Sequence, residues 1–241
     1  MRGTSLRASP LFRWHLDTPG KKAILRAVLP TLDLWIDPIP RDGPENMAID
    51  DWLAENADTP VLRSYRWTPD WGSLGYFVKA ATLPPNGLRW VRRPTGGGIV
   101  DHRADWTYTL FIPNGFGLAE AKGAESYRVI HSALVTALRA GGIDAQLAGS
   151  QPSTPGGECF RHAVEFDVIT PDARKIAGAG QRRNRHGLLH QGSVATPSPI
   201  PLELAASLSE IVTPKKVSPP ISFIAEQIQD RYGRSEWTLR R

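Results

Sequence analysis

The sequence predicts an α+β fold in which a mainly antiparallel or mixed sheet is flanked by helices. Three observations carry that prediction. Apolar and polar residues alternate in strand-length runs that recur between residues 31 and 195. Residues 124–139 instead place Tyr127, Ile130, Leu134, Ala137 and Leu138 on one helical stripe, closed by Gly141-Gly142. The order of strands and helices also lacks the βαβ regularity of a doubly wound fold. At 241 residues the chain is long enough to bury a sizeable core. We expect residues 31–241 to form one domain with a short helical C-terminal segment.

Residues 31–37 alternate Leu32, Leu34 and Ile36 with Asp33, Trp35 and Asp37, the pattern of a half-buried strand. Arg41-Asp42-Gly43-Pro44-Glu45 then starts a helix, with proline suited to the first turn and acids suited to the positive end of the helix dipole. Met47, Ala48, Asp51, Trp52 and Glu55 continue it at helical spacing to about residue 58, before Pro60. Residues 61–67 and 73–77 read as strands around a Thr68-Pro69-Asp70 turn, and Pro84-Pro85-Asn86-Gly87 marks a second turn. Residues 89–93, 98–101 and 106–112 give three more short strands. Residues 149–157 are rich in Gly, Ser, Pro and Gln and read as a surface loop, followed by strands at 164–170, 175–179 and 188–195. After a linker at 196–201, residues 202–212 read as a helix. Ser218-Pro219-Pro220 opens another that runs to about residue 232.

Charge narrows the function classes. Residues 1–30 carry Arg2, Arg7, Arg13, Lys21, Lys22 and Arg26 against Asp17 alone, which accounts for the whole net charge of +5. The remainder is neutral, so no general phosphate-binding surface is indicated and nucleic acid is not expected as a partner. The leader lacks the continuous apolar core of a secretory signal; a targeting segment, a disordered extension and sequence upstream of the true start all remain open for it. No run approaches the roughly 20 apolar residues of a membrane span, so no membrane partner is expected. A single cysteine makes no internal disulfide, which fits a reducing compartment, and a cytoplasmic location is expected.

Several residues are chemically suggestive. Arg92-Arg93-Pro94-Thr95-Gly96-Gly97-Gly98 leads to His102, and three glycines in a row let backbone N–H groups turn towards one ligand oxygen. A tight hairpin is the simpler reading of the same residues. Cys159 follows the polar Thr154-Pro155-Gly156-Gly157-Glu158 and precedes His162 by three positions; it is either a nucleophile or a small core residue. Lys175 leads into Ile176-Ala177-Gly178-Ala179-Gly180, where small residues allow close approach to the backbone. Its ammonium would polarise a carbonyl or stabilise a thiolate, or be an ordinary exposed lysine. Gln181-Arg182-Arg183-Asn184-Arg185-His186 is a basic turn, solvated or docking an acidic partner. His190 sits in an apolar-flanked strand and reads from its neighbours as structural. No spacing reads as a zinc site, and no Walker loop or serine elbow is present.

Taken in order, a longer series emerges. Asn46-Met47-Ala48-Ile49-Asp50, Arg63-Ser64-Tyr65-Arg66-Trp67, Gly75-Tyr76-Phe77, the Arg92–Gly98 loop and His102 with Thr107-Tyr108-Thr109 come first. Cys159-Phe160, Lys175-Ile176-Ala177-Gly178, Gln181-Arg182-Arg183 and His190-Gln191-Gly192-Ser193 follow. The series resembles the lipoate–protein ligase and octanoyltransferase family, which also includes biotin ligases, over residues 31–195. Arg231-Tyr232 with Trp237 looks like the closing segment of longer members.

The resemblance implies a biotin/lipoate ligase-like catalytic domain and an acyltransferase. Octanoate would pass from acyl carrier protein to a cysteine thioester, then to a lysine of a lipoyl domain or a glycine cleavage H-type protein. Cys159 and Lys175 would be catalytic, with no cofactor and no metal. Arg92, Arg93, Thr95, Gly96, Gly97, Gly98 and His102 would bind substrate, together with Gly178 and His190. Arg182, Arg183 and Arg185 would meet the acidic face of the carrier or acceptor. The alternative is a ligase that activates free lipoate or octanoate with ATP and Mg as an acyl-adenylate; a non-catalytic acyl-binding relative is a third reading. Cys159-Phe160 resembles the transferases, whereas the third glycine, Gly98, is more typical of ligases. Arg103-Ala104-Asp105 departs from the more acidic stretch usual after the histidine. Gly180 stands where the family often has alanine.

Overall fold

The computed structural model describes residues 28–149, 163–196 and 198–240. Strand β1 (Leu32–Ile36) is followed by helix α1 (Gly43–Asn56). The helix starts where the sequence places it because Asp42 caps it. The Glu45 N–H donates to Asp42 Oδ1 at 2.9 Å, and the Asp42 N–H donates to Glu45 Oε2 at 3.3 Å. This reciprocal pair satisfies amide donors that no helix carbonyl can reach. Strands β2 (Val61–Tyr65), β3 (Trp71–Leu74), β4 (Arg89–Arg92), β5 (Ile99–Asp101) and β6 (Trp106–Pro113) come next. A helical turn α2 (Gly117–Glu120) leads to the long helix α3 (Gly123–Ala140) and the short strands β7 (Gln146–Leu147) and β8 (Val168–Ile169). The hairpin β9 (Lys175–Arg183) and β10 (Gly187–Val194) precedes α4 (Pro201–Leu208), β11 (Val212–Pro214), α5 (Ile221–Gln227) and α6 (Ser235–Thr238).

Two sheets result. The larger has the order β11-β1-β2-β6-β10-β9-β8-β7, parallel across β11-β1-β2 and antiparallel from β2 onward. The smaller, β4-β3-β5, is mixed, and the glycine loop joins its two outer strands. The main core lies between the large sheet and helices α3 and α4. There Ile130, Leu134 and Leu138 of the expected stripe meet Tyr108, Leu110, Leu188, Leu204 and Leu208. Each leucine so buried contributes about 1.5–3 kcal/mol. A second cluster, Met47, Trp71, Val91 and Tyr232, packs α1 and the small sheet against the C-terminal helices. The fold is α+β with a mixed, mainly antiparallel sheet, as expected.

Boundaries differ in instructive ways. The strand expected at 164–170 shrinks to β8, because Phe166 has φ 68° and the Val164 N–H donates to Asp167 Oδ2 at 2.8 Å. A side-chain-stabilised turn overrides the apolar run there. The helix expected at 202–212 ends at Leu208; Val212 and Thr213 pair in parallel with Leu32 and Asp33, as β-branched residues favour. The helix expected to reach residue 232 widens after Gln227 into a π-helical turn, Ile228–Tyr232. The folded part also begins earlier than residue 31, since Leu29 is 1% exposed and bridges to Ser209. The basic leader through residue 27, the expected loop at 150–157, Cys159, Phe160 and His162 lie outside the described residues. Among the described residues no helix is long and apolar enough to cross a membrane.

Candidate active site

The glycine loop is held from beneath. Arg63, 0% exposed, donates to Asp50 Oδ1 at 2.8 Å, Asp37 Oδ2 at 2.9 Å and Asn46 Oδ1 at 2.8 Å. Asp50 Oδ2 accepts from Thr109 and from Gln191 Nε2, both at 2.7 Å. Gln191 Oε1 in turn accepts from Thr95 Oγ1 at 2.7 Å. Helix α1, strands β2, β6 and β10 and the loop are thereby joined by one buried polar chain. It gives the Asn46–Asp50 and His190–Ser193 motifs a physical role. Burial raises the Asp50 carboxyl, and the adjacent Arg63 opposes that shift. A buried charge of this kind is tolerated because it is paired and hydrogen-bonded.

Arg93 closes the loop from inside. Its guanidinium donates to the Gly96 and Gly98 carbonyls at 3.2 and 3.0 Å and to Ser73 Oγ at 2.6 Å. Burial pulls it down to about 10, which leaves it charged at neutral pH. Gly97 takes φ +87° at the turn. Ser73 Oγ lies 2.6 Å from His102 Nε2, and His102 Nδ1 lies 2.8 Å from Asp105 Oδ2. The His102 ring stacks on Trp67 with centroids 3.9 Å apart and planes 9° apart.

Lys175, at the start of β9, faces this loop across a cavity of about 160 Å³ that Gly97, Gly98, His102, Asp167 and Val164 also line. Its Nζ is 2.7 Å from Asp167 Oδ2, and the Asp167 side chain is 1% exposed. Tyr127 holds Asp167 from the other side, its hydroxyl 3.1 Å from Oδ1 while accepting from the Ala179 N–H at 2.8 Å. Burial pushes the Tyr127 hydroxyl well above its ordinary range, so it remains protonated. Gly178 makes room for the pair: a Cβ there would stand 2.9 Å from Lys175 Nζ. A second cavity, about 380 Å³, meets the first at Lys175, Gly178 and Ser193 and extends to Asp101 and Asp105. The site therefore presents an oriented ammonium, a glycine-walled slot and a histidine–carboxylate pair around a common space. Such a set can hold a carbonyl oxygen and handle a proton.

Of the residues expected to bind substrate, Arg93, Gly97, Gly98, His102 and Gly178 converge on the cavity with Lys175. Thr95 and Gly96 support the loop from its far side. Arg92 does not belong with them. It is 0% exposed and donates to the carbonyls of Gly75, Tyr76, Val78, Trp237, Thr238 and Arg240, a brace between the small sheet and the C-terminal segment. His190 is likewise internal, between Tyr108 and Gln181, and burial holds it well below its ordinary value. Arg183 donates to the Ala119 and Ala121 carbonyls and Ser126 Oγ, tying the hairpin to α2 and α3; Arg185 is exposed at the hairpin tip. Asp167 and the contacts of Asp105 were not marked by any spacing. Asp167 is separated from Lys175 by a turn whose geometry alone brings them together.

The sheet topology is that of solved lipoate protein ligases. Residues 42–228 match the lipoyl protein ligase A/B catalytic domain, and the chain belongs to that family. It is 30% identical over 209 residues to the octanoyltransferase LipM of Kyrpidia tusciae, covering 79% of this chain and 70% of that protein. It is 33% identical over 166 residues to the octanoyltransferase LipM of Geobacillus kaustophilus, where the match covers 62% of this chain and 60% of the relative's length. The bi-partite lipoate protein ligase of Thermoplasma acidophilum superposes with a TM-score of 0.66 at 19% identity, over 88% of this chain and 96% of that one. At that identity it shares the fold.

Proposed function

We propose that the chain is an octanoyltransferase of lipoate biosynthesis that moves an octanoyl group from acyl carrier protein to a lysine of a lipoyl domain or H-type protein. The observation that carries this reading is the shared cavity of Lys175 and the glycine loop, in a chain whose relatives are octanoyltransferases. Val164 lines that cavity five positions after Cys159 in the sequence. The Cys159 thiolate attacks the octanoyl thioester carbonyl, its new C–S bond replacing the carrier's, and the carrier leaves as a thiolate that takes a proton from solvent. The Lys175 ammonium, fixed by Asp167, supports the carbonyl oxygen as charge develops on it. The acceptor amine then attacks the acyl-enzyme in a ping-pong sequence. Arg182 and Arg185 are suited to the acidic face of either protein partner.

The test is intact mass of the protein after incubation with octanoyl-acyl carrier protein in the absence of ATP. An octanoyl adduct is expected, absent in Cys159→Ser and formed about 100-fold more slowly in Lys175→Met, the usual cost of one lost oxyanion donor. No adduct, together with modification of a lipoyl domain that requires ATP and Mg, would replace the transferase with an adenylating ligase.

A further inference from the structure

The larger cavity holds a feature that the proposed acyl chemistry leaves unused. Asp105 lines it with a side chain only 7% exposed. Its Oδ2 is saturated: Ser193 Oγ lies at 2.5 Å, His102 Nδ1 at 2.8 Å and Thr107 Oγ1 at 3.2 Å. Its Oδ1 is buried and has no hydrogen-bond partner among the described residues. A buried carboxylate oxygen without a donor is costly, so it marks a place where a donor is expected to arrive.

The hydrogen bonds around it have a direction. Ser73 Oγ accepts from Arg93 and meets His102 Nε2 with either its proton or its remaining lone pair. A carboxylate can only accept, so His102 Nδ1 carries the proton that points at Asp105 Oδ2. Trp67 Nε1 likewise donates to Thr107 Oγ1 at 2.9 Å, which leaves the threonine proton for Asp105. Every neighbour of Oδ2 thus donates to it, which fixes the carboxylate while Oδ1 is left buried without a partner among the described residues. Lys175 lines the same cavity, and a second ammonium brought beside it is disfavoured in its charged form.

We propose that the larger cavity receives the ε-ammonium of the acceptor lysine and that Asp105 Oδ1 takes its proton. This rests on the acyl-transfer reading and names the second half of it. The ammonium gives one proton to Asp105. Its nitrogen forms the C–N bond with the acyl carbonyl carbon as the C–S bond to Cys159 breaks, and a second nitrogen proton ends on the departing sulfur. The remaining N–H is that of the amide product. Asp105 is then a catalytic residue, while His102, Ser193 and Thr107 are positioning residues that act through it.

Rapid-quench measurement of the two half-reactions tests this. Asp105→Asn should form the octanoyl-enzyme within about threefold of the wild-type rate but transfer it to a lipoyl-domain lysine about 100-fold more slowly, the usual size of a lost proton acceptor. Transfer to hydroxylamine, uncharged at neutral pH, should be spared. Equal slowing of both half-reactions, equal slowing with lysine and hydroxylamine, or no slowing would overturn the assignment. Should Asp105→Asn not fold, Ser193→Ala carries the test, because it removes a donor to Oδ2 and leaves Oδ1 untouched. It should slow lysine transfer alone, and an equal effect on acylation would overturn the role. If wild type forms no octanoyl-enzyme, the transferase reading falls separately. The same split, measured with ATP and octanoate between activation and transfer, then decides for or against Asp105.

Discussion

His131 lies on α3 with Nδ1 2.6 Å from the Phe166 carbonyl, while its Nε2 has no partner among the described residues. Burial pulls it from 6.5 to about 4. Its folded form therefore stays neutral while the unfolded chain takes up a proton near pH 6.5. This contribution to stability is complete above pH 6.5 and is lost as pH falls towards 4, by about 3 kcal/mol. Asp50 and Asp51, both raised by burial, act in the opposite sense. The measurement is therefore a difference: the urea stability of wild type relative to His131→Gln should fall by about 3 kcal/mol between pH 7 and pH 4. A difference that stays constant across that range would contradict it. At this scale the sequence was legible where a residue type is scarce or clustered, as with Lys175 before its small residues and the Gly96–Gly98 run. It was silent on Asp167, His131 and the open oxygen of Asp105, because their character comes from what folds around them.

The β9 strand shows how an element carries a constraint that no single side chain states. Gly180 lies under the glycine loop, and a Cβ there would stand 2.4 Å from the Gly96 carbonyl oxygen and 2.8 Å from Thr95 Oγ1. The obstacle is backbone, so the loop itself must move. Gly180→Ala should cost about 1–3 kcal/mol, or about 2–10 °C in melting temperature. It should also lower octanoyl transfer more than a surface substitution of equal stability cost does. An unchanged melting curve and rate would show that the loop has slack. Among the elements, α1 and α3 were readable because a cap and a 3.6-residue stripe are local signals. Strands β8 and β11 were not: one is cut short by an Asp167 turn, and the other exists only because β1 offers it an edge.

At the scale of the molecule, the small sheet and the C-terminal segment are one unit. Arg92 spends its donors on carbonyls from both, and Trp237 Nε1 donates back to the Arg92 carbonyl at 3.0 Å. Tyr232 and Arg231 add bonds to Asp51 on α1 at 2.5 and 2.9 Å. Ending the chain after Tyr232 removes three carbonyls from a buried guanidinium, and the stability loss should reach about 3 kcal/mol or more. Thermal melting and the octanoyl-transfer rate check this; both should fall although none of the deleted residues lines either cavity. The mixed sheet was legible from residue order, but this clasp was not, since Arg92 reads as a ligand-loop residue until its partners are seen.

The same clasp has a temporal side. The Arg92 side chain waits for carbonyls 145 to 148 residues further along the chain. During synthesis the lysine, the glycines and the histidine all leave the ribosome before the segment that steadies them. A nascent chain thus carries these side chains before the buried Arg92 guanidinium has its last three carbonyl partners.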